Sequence, residues 1–288
     1  GIGPEMPVDQ RPEDAVSVVF DGPVLEQAIA IVGFPLLHAC IASDQPVATL
    51  VARLETLAPD GSSALLSWGA LNLTHRDGHE EPAALEPGRA YDVTVQLNAI
   101  AQTVPAGYRL RLALANTSWP LLWPAPAMTA LSLDAAQSRL ELPLRDAQPG
   151  DAELPEFEQA EVPPMPAIGW QRSFGRVRRI VRDLASGRTS LELDKDDGAY
   201  RIEAHGMEID QVGREVQEIV DGDPLSNRGE VTWRIAQRRG DWDVAIESTT
   251  SVSCDATQFR VEATIAAFED GKEVARHKLE RTIPRDLI

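Results

Sequence analysis

The sequence predicts an all-β chain: a jelly-roll β-sandwich followed by a second antiparallel β domain. Three observations carry this. Apolar and polar residues alternate with a period of two over many short runs, as in Tyr91, Val93, Val95 and Leu97 against Asp92, Thr94 and Gln96, the pattern of strands with one buried face. Pro, Gly and Asp-Gly signals punctuate those runs at turn spacing. No run shows a clear helical period, and no βαβ alternation is present to build a parallel sheet.

The length of 288 residues suggests two domains. Residues 1–14, with Pro4, Pro7 and Pro12 and four acids, read as an extended lead-in arriving from something upstream. Strands are then predicted over 16–20, 28–32, 37–43, 49–56, 64–74, 91–97, 108–115, 129–133 and 138–142. Asp21-Gly22-Pro23, Pro59-Asp60-Gly61 and Asp77-Gly78 separate them. Before the strand at Tyr91, Pro87 occupies the second position of a turn and Gly88 the third, where a type II turn needs positive φ. Val104-Pro105-Ala106-Gly107 supplies a further turn, after which Leu110, Leu112 and Leu114 alternate with Arg109, Arg111 and Ala113. Eight or nine short strands of this kind suit a jelly roll over residues 1–146.

Residues 147–168 hold Pro149, Pro155, Pro163, Pro164 and Pro166 with five acids and no bases, a composition that favours extended, semi-rigid backbone and marks a linker. From 169 to 288 the predicted strands are 173–183, 189–193, 200–204, 215–220, 230–237, 242–250, 258–268 and 273–283. Turns at Ala185-Ser186-Gly187, Asp196-Asp197-Gly198, Arg239-Gly240-Asp241 and Glu269-Asp270-Gly271 bound them, which implies an antiparallel meander.

Net charge is −18, divided as −9 over 1–146, −5 over 147–168 and −4 over 169–288. No segment is basic, so nucleic acid is excluded as an expected partner. Cys40 and Cys254 fall in different predicted domains, and two free, buried thiols fit a reducing cytoplasm. The longest charge-free run, residues 112–133, fails as a membrane helix because Pro120, Pro124 and Pro126 would break it, so no membrane association is expected.

Leu85-Glu86-Pro87-Gly88-Arg89-Ala90-Tyr91-Asp92-Val93-Thr94-Val95-Gln96-Leu97, followed by Val104-Pro105-Ala106-Gly107-Tyr108-Arg109-Leu110-Arg111-Leu112, resembles the C-terminal jelly-roll domain of the cocaine-esterase and X-prolyl dipeptidyl aminopeptidase (CocE/NonD-type) family of serine hydrolases. Residues 47–76 resemble earlier strands of the same domain, and the likeness covers roughly residues 16–145. Residues 169–288, with the closing Ile283-Pro284-Arg285-Asp286-Leu287, resemble an extra C-terminal segment of some members. The resemblance implies a galactose-binding-like jelly roll and a chain that is one portion of such an enzyme. A member hydrolyses esters or amides with a Ser in a G-x-S-x-G elbow, followed by Asp and His. No G-x-S-x-G occurs here, so the resemblance places all three catalytic residues upstream of Gly1 and leaves this chain with none.

Asn116-Thr117-Ser118-Trp119-Pro120-Leu121-Leu122-Trp123-Pro124 reads as a rigid apolar protrusion after a strand, and aromatics displayed in this way mark contact surfaces. In the family the matching loop lies towards the catalytic domain and helps wall the acyl pocket. Ser118, Trp119 and Trp123 are therefore the candidate residues for interdomain packing or substrate contact. The familiar form has Ser-Ser before the Pro and Asp-Arg-Asn after it; its absence here weakens a direct substrate role.

The remaining constellations have bland readings. His75-Arg76-Asp77-Gly78-His79-Glu80-Glu81 has two His at i and i+4, but Asp77-Gly78 signals a turn, so helical metal-ligand spacing loses its meaning and a solvated loop is expected. Asp194-Lys195-Asp196-Asp197-Gly198 begins like a calcium loop, yet its Gly is one place early and His205 stands where a bidentate Glu is needed; a hairpin turn is expected. His38, His205 and His277 lie in or beside strands without a nucleophile. Arg172, Arg176, Arg178, Arg179 and Arg182 should form a cross-strand ion-pair ladder.

Neither cofactor nor metal is expected. The expected partner is an upstream α/β-hydrolase catalytic domain, with contacts supporting a homo-oligomer. The alternative is a free-standing carbohydrate- or protein-binding module, in which Trp119 and Trp123 would stack on a ligand.

Overall fold

The computed structural model describes residues 9–153 and 157–288. The lead-in expected over 1–14 lies partly outside the described residues, as do Leu154, Pro155 and Glu156 of the linker. The chain forms two compact units, one holding the residues before 157 together with Leu287 and Ile288, the other holding 157–286.

In the first unit, a short helix α1 (Arg11–Asp14) precedes nine strands: β1 (Val18–Asp21), β2 (Ile29–Gly33), β3 (Leu36–Ser43), β4 (Thr49–Leu57), β5 (Ser63–Asn72), β6 (Ala90–Gln96), β7 (Ile100–Val104), β8 (Arg109–Ala115) and β9 (Leu131–Glu141). All pairings are antiparallel, in a four-stranded sheet β1-β8-β4-β5, a three-stranded sheet β6-β3-β9 and the pair β2-β7. The all-β expectation holds. Alternation puts Leu37 and Ile41, Leu50 and Leu54, Val93 and Val95, and Leu114 into one buried cluster between the sheets. The turn before β6 forms as its residues require: Arg89 N–H donates to Glu86 O at 3.0 Å around Pro87, with Gly88 at φ +80°.

Two local differences have physical causes. β7 was missed because Ala101-Gln102-Thr103 lacks an apolar face; its backbone pairs with β2 all the same. β9 is one strand, with a bulge that sets Ala135 to Ser138 between the pairs His38–Arg139 and Cys40–Asp134. Asp134 holds that bulge, accepting from Ala136 N at 3.0 Å and Gln137 Nε2 at 2.6 Å.

The second unit is a single antiparallel sheet of eight strands: β10 (Ile168–Arg172), β11 (Gly175–Asp183), β12 (Arg188–Ile202), β13 (Met207–Val220), β14 (Asp223–Arg239), β15 (Trp242–Cys254), β16 (Gln258–Glu269) and β17 (Lys272–Pro284). β12 to β17 run as a meander, and both β10 and β11 pair with β12. Register gives the sheet two characters. The row Gly213, Trp233, Ser248, Ile265 and its neighbour Glu215, Val231, Thr250, Ala263, Leu279 line one face. The opposite face carries Arg172, Arg179, Glu192, Asp194, Asp196, Asp210 and Arg214.

Asp196-Asp197-Gly198 is not the expected hairpin turn but a bulge inside β12. Asp196 Oδ1 accepts the Gly198 N–H at 2.8 Å, and Gly198 takes φ +85° where a Cβ would lie 2.6 Å from the Trp170 ring. No calcium-loop geometry survives in a continuous strand. Arginine ion pairs form, but the strand register divides Arg176, Arg178 and Arg182 from Arg179 onto opposite faces, so they do not make the one expected ladder: Arg172 bonds Asp196 (2.8 Å) and Asp210 (2.6 Å), Arg179 bonds Glu192 (2.6 Å), and Arg176 and Arg182 pair with Asp197 and Asp221.

Candidate functional site

The loop 116–130 carries the three candidate residues between β8 and β9, crossing from one sheet of the sandwich to the other. Its base is tied: Asn116 Nδ2 donates to Thr129 O at 2.6 Å, and Ala130 N–H donates to Asp44 Oδ1 at 2.8 Å. Within it, Leu122 N–H closes a single turn on Ser118 O at 2.9 Å, and the Trp119–Pro120 peptide is cis. Ser118, Trp119 and Trp123 are half-buried and Pro124 is buried, so the aromatics are not displayed on a protrusion as their sequence suggests. Apolar side chains pack onto whatever surface is in reach, and period-based reading has no means of seeing that surface.

Among the described residues the sandwich is open along one side. β1 and β9 are the edge strands there, and two adjoining cavities lie between them, of about 400 Å³ and about 600 Å³. Phe20, Leu114 and Leu133 line both, and the larger one reaches Asn116 at the base of the loop. Val18 is 60% and Phe20 38% exposed although both alternate inward with Leu114 and Leu112. The opposite side is shut: Ser67 Oγ donates to Asn98 O at 2.6 Å, and Gly69 approaches the Gln96 carbonyl so closely that a Cβ would sit 2.4 Å from it.

The outer face of β4 and β8 holds a buried ion network. Arg53 Nε donates to Glu55 Oε1 (3.0 Å), Arg53 Nη2 to Asp14 Oδ1 (3.2 Å), and Arg111 Nη1 to Asp14 Oδ2 (2.9 Å). Ser63 Oγ donates to the other Glu55 oxygen at 2.8 Å. Burial pushes the Glu55 carboxyl above its ordinary range, against the hydrogen bonds from Ser63 and Arg53 that lower it. Asp21 is lowered by its hydrogen bonds from Arg111, whose Nε lies 2.7 Å away. The network anchors α1 and β1 to the four-stranded sheet, which fixes the open side next to it.

The sequence holds no G-x-S-x-G elbow. The nearest approach to a relay is Thr94 Oγ1, 3.1 Å from His38 Nδ1, with His38 Nε2 3.3 Å from Glu141 Oε2. It lies on the outer face of the three-stranded sheet with Thr94 exposed, and none of the three residues lines either cavity. His38 was read as a structural histidine, and these cross-strand bonds fit that reading. Among the described residues no group of three or more His, Cys, Asp or Glu is arranged to hold a metal. No described helix is long and apolar enough to cross a membrane.

A unit of facing antiparallel sheets with a tied aromatic loop and an apolar inter-sheet opening is a β-sandwich domain. Residues 4–153 match the X-Pro dipeptidyl-peptidase C-terminal non-catalytic domain, and the chain belongs to that family. A protein of Streptomyces avermitilis named as an Xaa-Pro dipeptidyl-peptidase is 35% identical over 92 residues, 32% of this chain and 13% of the relative. Cocaine esterase of Rhodococcus sp. (strain MB1 Bresler) is 24% identical over 120 residues, 41% of this chain and 21% of the relative. A solved α-amino acid ester hydrolase aligns over 48% of this chain and 27% of its own length, with 19% identity and a TM-score of 0.45. The chain thus spans about a fifth or less of the length of the curated relatives it matches.

Proposed function

We propose that this chain is the accessory portion of a serine hydrolase of the acyl-esterase or X-Pro dipeptidyl-peptidase type, and that its first unit packs on an α/β-hydrolase domain and helps shape the acyl pocket. The observation that carries the reading is the open apolar side between β1 and β9, which reaches Asn116 at the base of the loop that holds Ser118, Trp119 and Trp123. Contiguous apolar surface of this kind marks a contact site, and half-buried Trp residues anchor such contacts. Catalysis belongs to the partner domain: its serine attacks the carbonyl, its histidine moves the proton, and its backbone N–H groups hold the oxyanion. The loop supplies a wall that excludes water from one side of the bound acyl group.

The test is association and activity together. An α/β-hydrolase domain of this type is mixed with the chain and with the Phe20→Asp and Trp119→Ala/Trp123→Ala variants, and binding is followed by sedimentation velocity. Binding by the parent chain that both variants weaken by at least about tenfold supports the reading. Equal binding by the parent chain and both variants removes the open side and the loop from the interface and overturns it.

A further inference from the structure

We infer that His75 and His79 form a binding site for a divalent transition-metal ion, with Cu²⁺ held more tightly than Zn²⁺. The turn that destroys helical spacing brings the two rings together by another route. A 3₁₀ turn, Leu73–His75, is capped by Asn72, whose side-chain oxygen accepts from Thr74 N–H at 3.2 Å. The chain then reverses at Gly78, whose N–H donates to His75 O at 3.1 Å. Arg76 clamps the loop shut, donating to Leu73 O at 3.2 Å and to Ala83 O at 2.7 Å, while Ala83 N–H donates to Thr74 O at 2.8 Å. The result is a built loop that sets His75 Nδ1 3.1 Å from His79 Nδ1, with ring centroids 5.3 Å apart and planes inclined by 46°.

Two imidazole nitrogens facing each other at this distance share either a proton or an ion. Metal–imidazole bonds of about 2.0–2.1 Å to both atoms would subtend about 98° at the ion, between the square-planar and tetrahedral angles. That fits Cu²⁺, Ni²⁺ and Zn²⁺, and the general affinity order for nitrogen ligands puts Cu²⁺ first. Hard ions such as Ca²⁺ and Mg²⁺ need about six or more oxygens, and among the described residues the nearby carboxylates are not gathered into such a set. With no third protein donor in place among the described residues, water completes the coordination sphere. Exposed Asp77, Glu80 and Glu81 add negative field around the ion. Binding would staple the 3₁₀ turn to the segment after Gly78, and it is independent of the hydrolase reading.

The test is isothermal titration of the metal-free full chain with CuCl₂ and with ZnCl₂, with thermal unfolding recorded in parallel. One ion per chain, Cu²⁺ tighter than Zn²⁺ and a raised unfolding temperature are expected. His75→Gln and His79→Gln should each weaken binding by about tenfold or more, while His205→Gln leaves it unchanged. His79 is exposed, so its variant keeps the test valid even if His75→Gln disturbs the turn. Nitrogen hyperfine structure from two imidazoles in the Cu²⁺ electron paramagnetic resonance spectrum should fall to one in His79→Gln. No saturable binding below about 1 mM ion, or binding that survives His79→Gln, overturns the inference.

Discussion

Replacing Arg53 with Met should destabilise the first unit more than any surface change, because it leaves buried Glu55 without a cation and takes one of two arginines from Asp14. Glu55 is 0% exposed and Asp14 8%, and Arg53 bonds both as well as Ser17 Oγ at 3.2 Å. Removing one partner of a buried ion pair costs about 3–5 kcal/mol, the same range as losing two charge-assisted hydrogen bonds at about 1.5–3 kcal/mol each. Met keeps most of the arginine's apolar stem volume, so little of the loss is packing. For a unit of this size the midpoint should fall by roughly 6–20 °C. The double variant Arg53→Met/Glu55→Met should recover most of the loss, since the charge left unpaired is then gone and Asp14 keeps Arg111. Urea unfolding followed by hydrogen exchange at the β4 amides reads this unit separately from the other. The raised Glu55 carboxyl sets the pH dependence: the native state holds a proton that the unfolded chain has already released. Its contribution favours folding below the ordinary carboxylate range and is lost as pH rises through the raised value, so the Arg53→Met deficit should shrink as pH falls towards the ordinary carboxylate range. A single variant within about 1 kcal/mol of the parent, or a double variant worse than the single, would refute the argument.

Other predictions are more local. Asp151, hydrogen-bonded by Arg145, is held down to about 2; its contribution is present above the ordinary carboxylate value and lost as pH falls through about 2. Arg145→Gln should return its titration in carboxyl NMR towards about 3.9. Gly69→Ala should destabilise the first unit by about 1–3 kcal/mol, because the added carbon meets the Gln96 backbone and not a movable side chain; unchanged urea midpoints would contradict this. Gly213→Ala should do the same in the second unit, where a Cβ would lie 2.7 Å from the Trp233 ring, and the fluorescence of that Trp should shift.

How much of this was legible in the sequence depended on whether a signal was local. Pro87-Gly88 and the Tyr91–Leu97 alternation specify turn and strand within a dozen residues, and both form as read. β13 and β14 start well before the expected 215 and 230; in β13, Glu208, Asp210 and Arg214 look like loop residues until strands alongside supply Arg201, Arg172 and Asp194 as partners. Ion-paired faces hide strands from a hydrophobic period. The Ser118–Trp123 loop was found from composition, while its half-buried placement is a tertiary property that composition does not carry. The His75–His79 approach was discounted because spacing rules assume a helix, whereas here a 3₁₀ turn and the Arg76 clamp do the bringing together. The Arg53–Glu55 network was unforeseen for a related reason: two charges two residues apart in a strand read as a solvent face until α1 covers them.

The most direct test of the central claim is a pair of rate measurements with p-nitrophenyl acetate and an Ala-Pro p-nitroanilide. One uses this chain alone; the other uses a polypeptide in which it follows an α/β-hydrolase domain containing G-x-S-x-G. The account predicts no turnover above buffer for the chain alone and turnover sensitive to phenylmethylsulfonyl fluoride for the longer polypeptide, reduced by Trp119→Ala/Trp123→Ala. Inhibitor-sensitive turnover by the pure chain alone would contradict it.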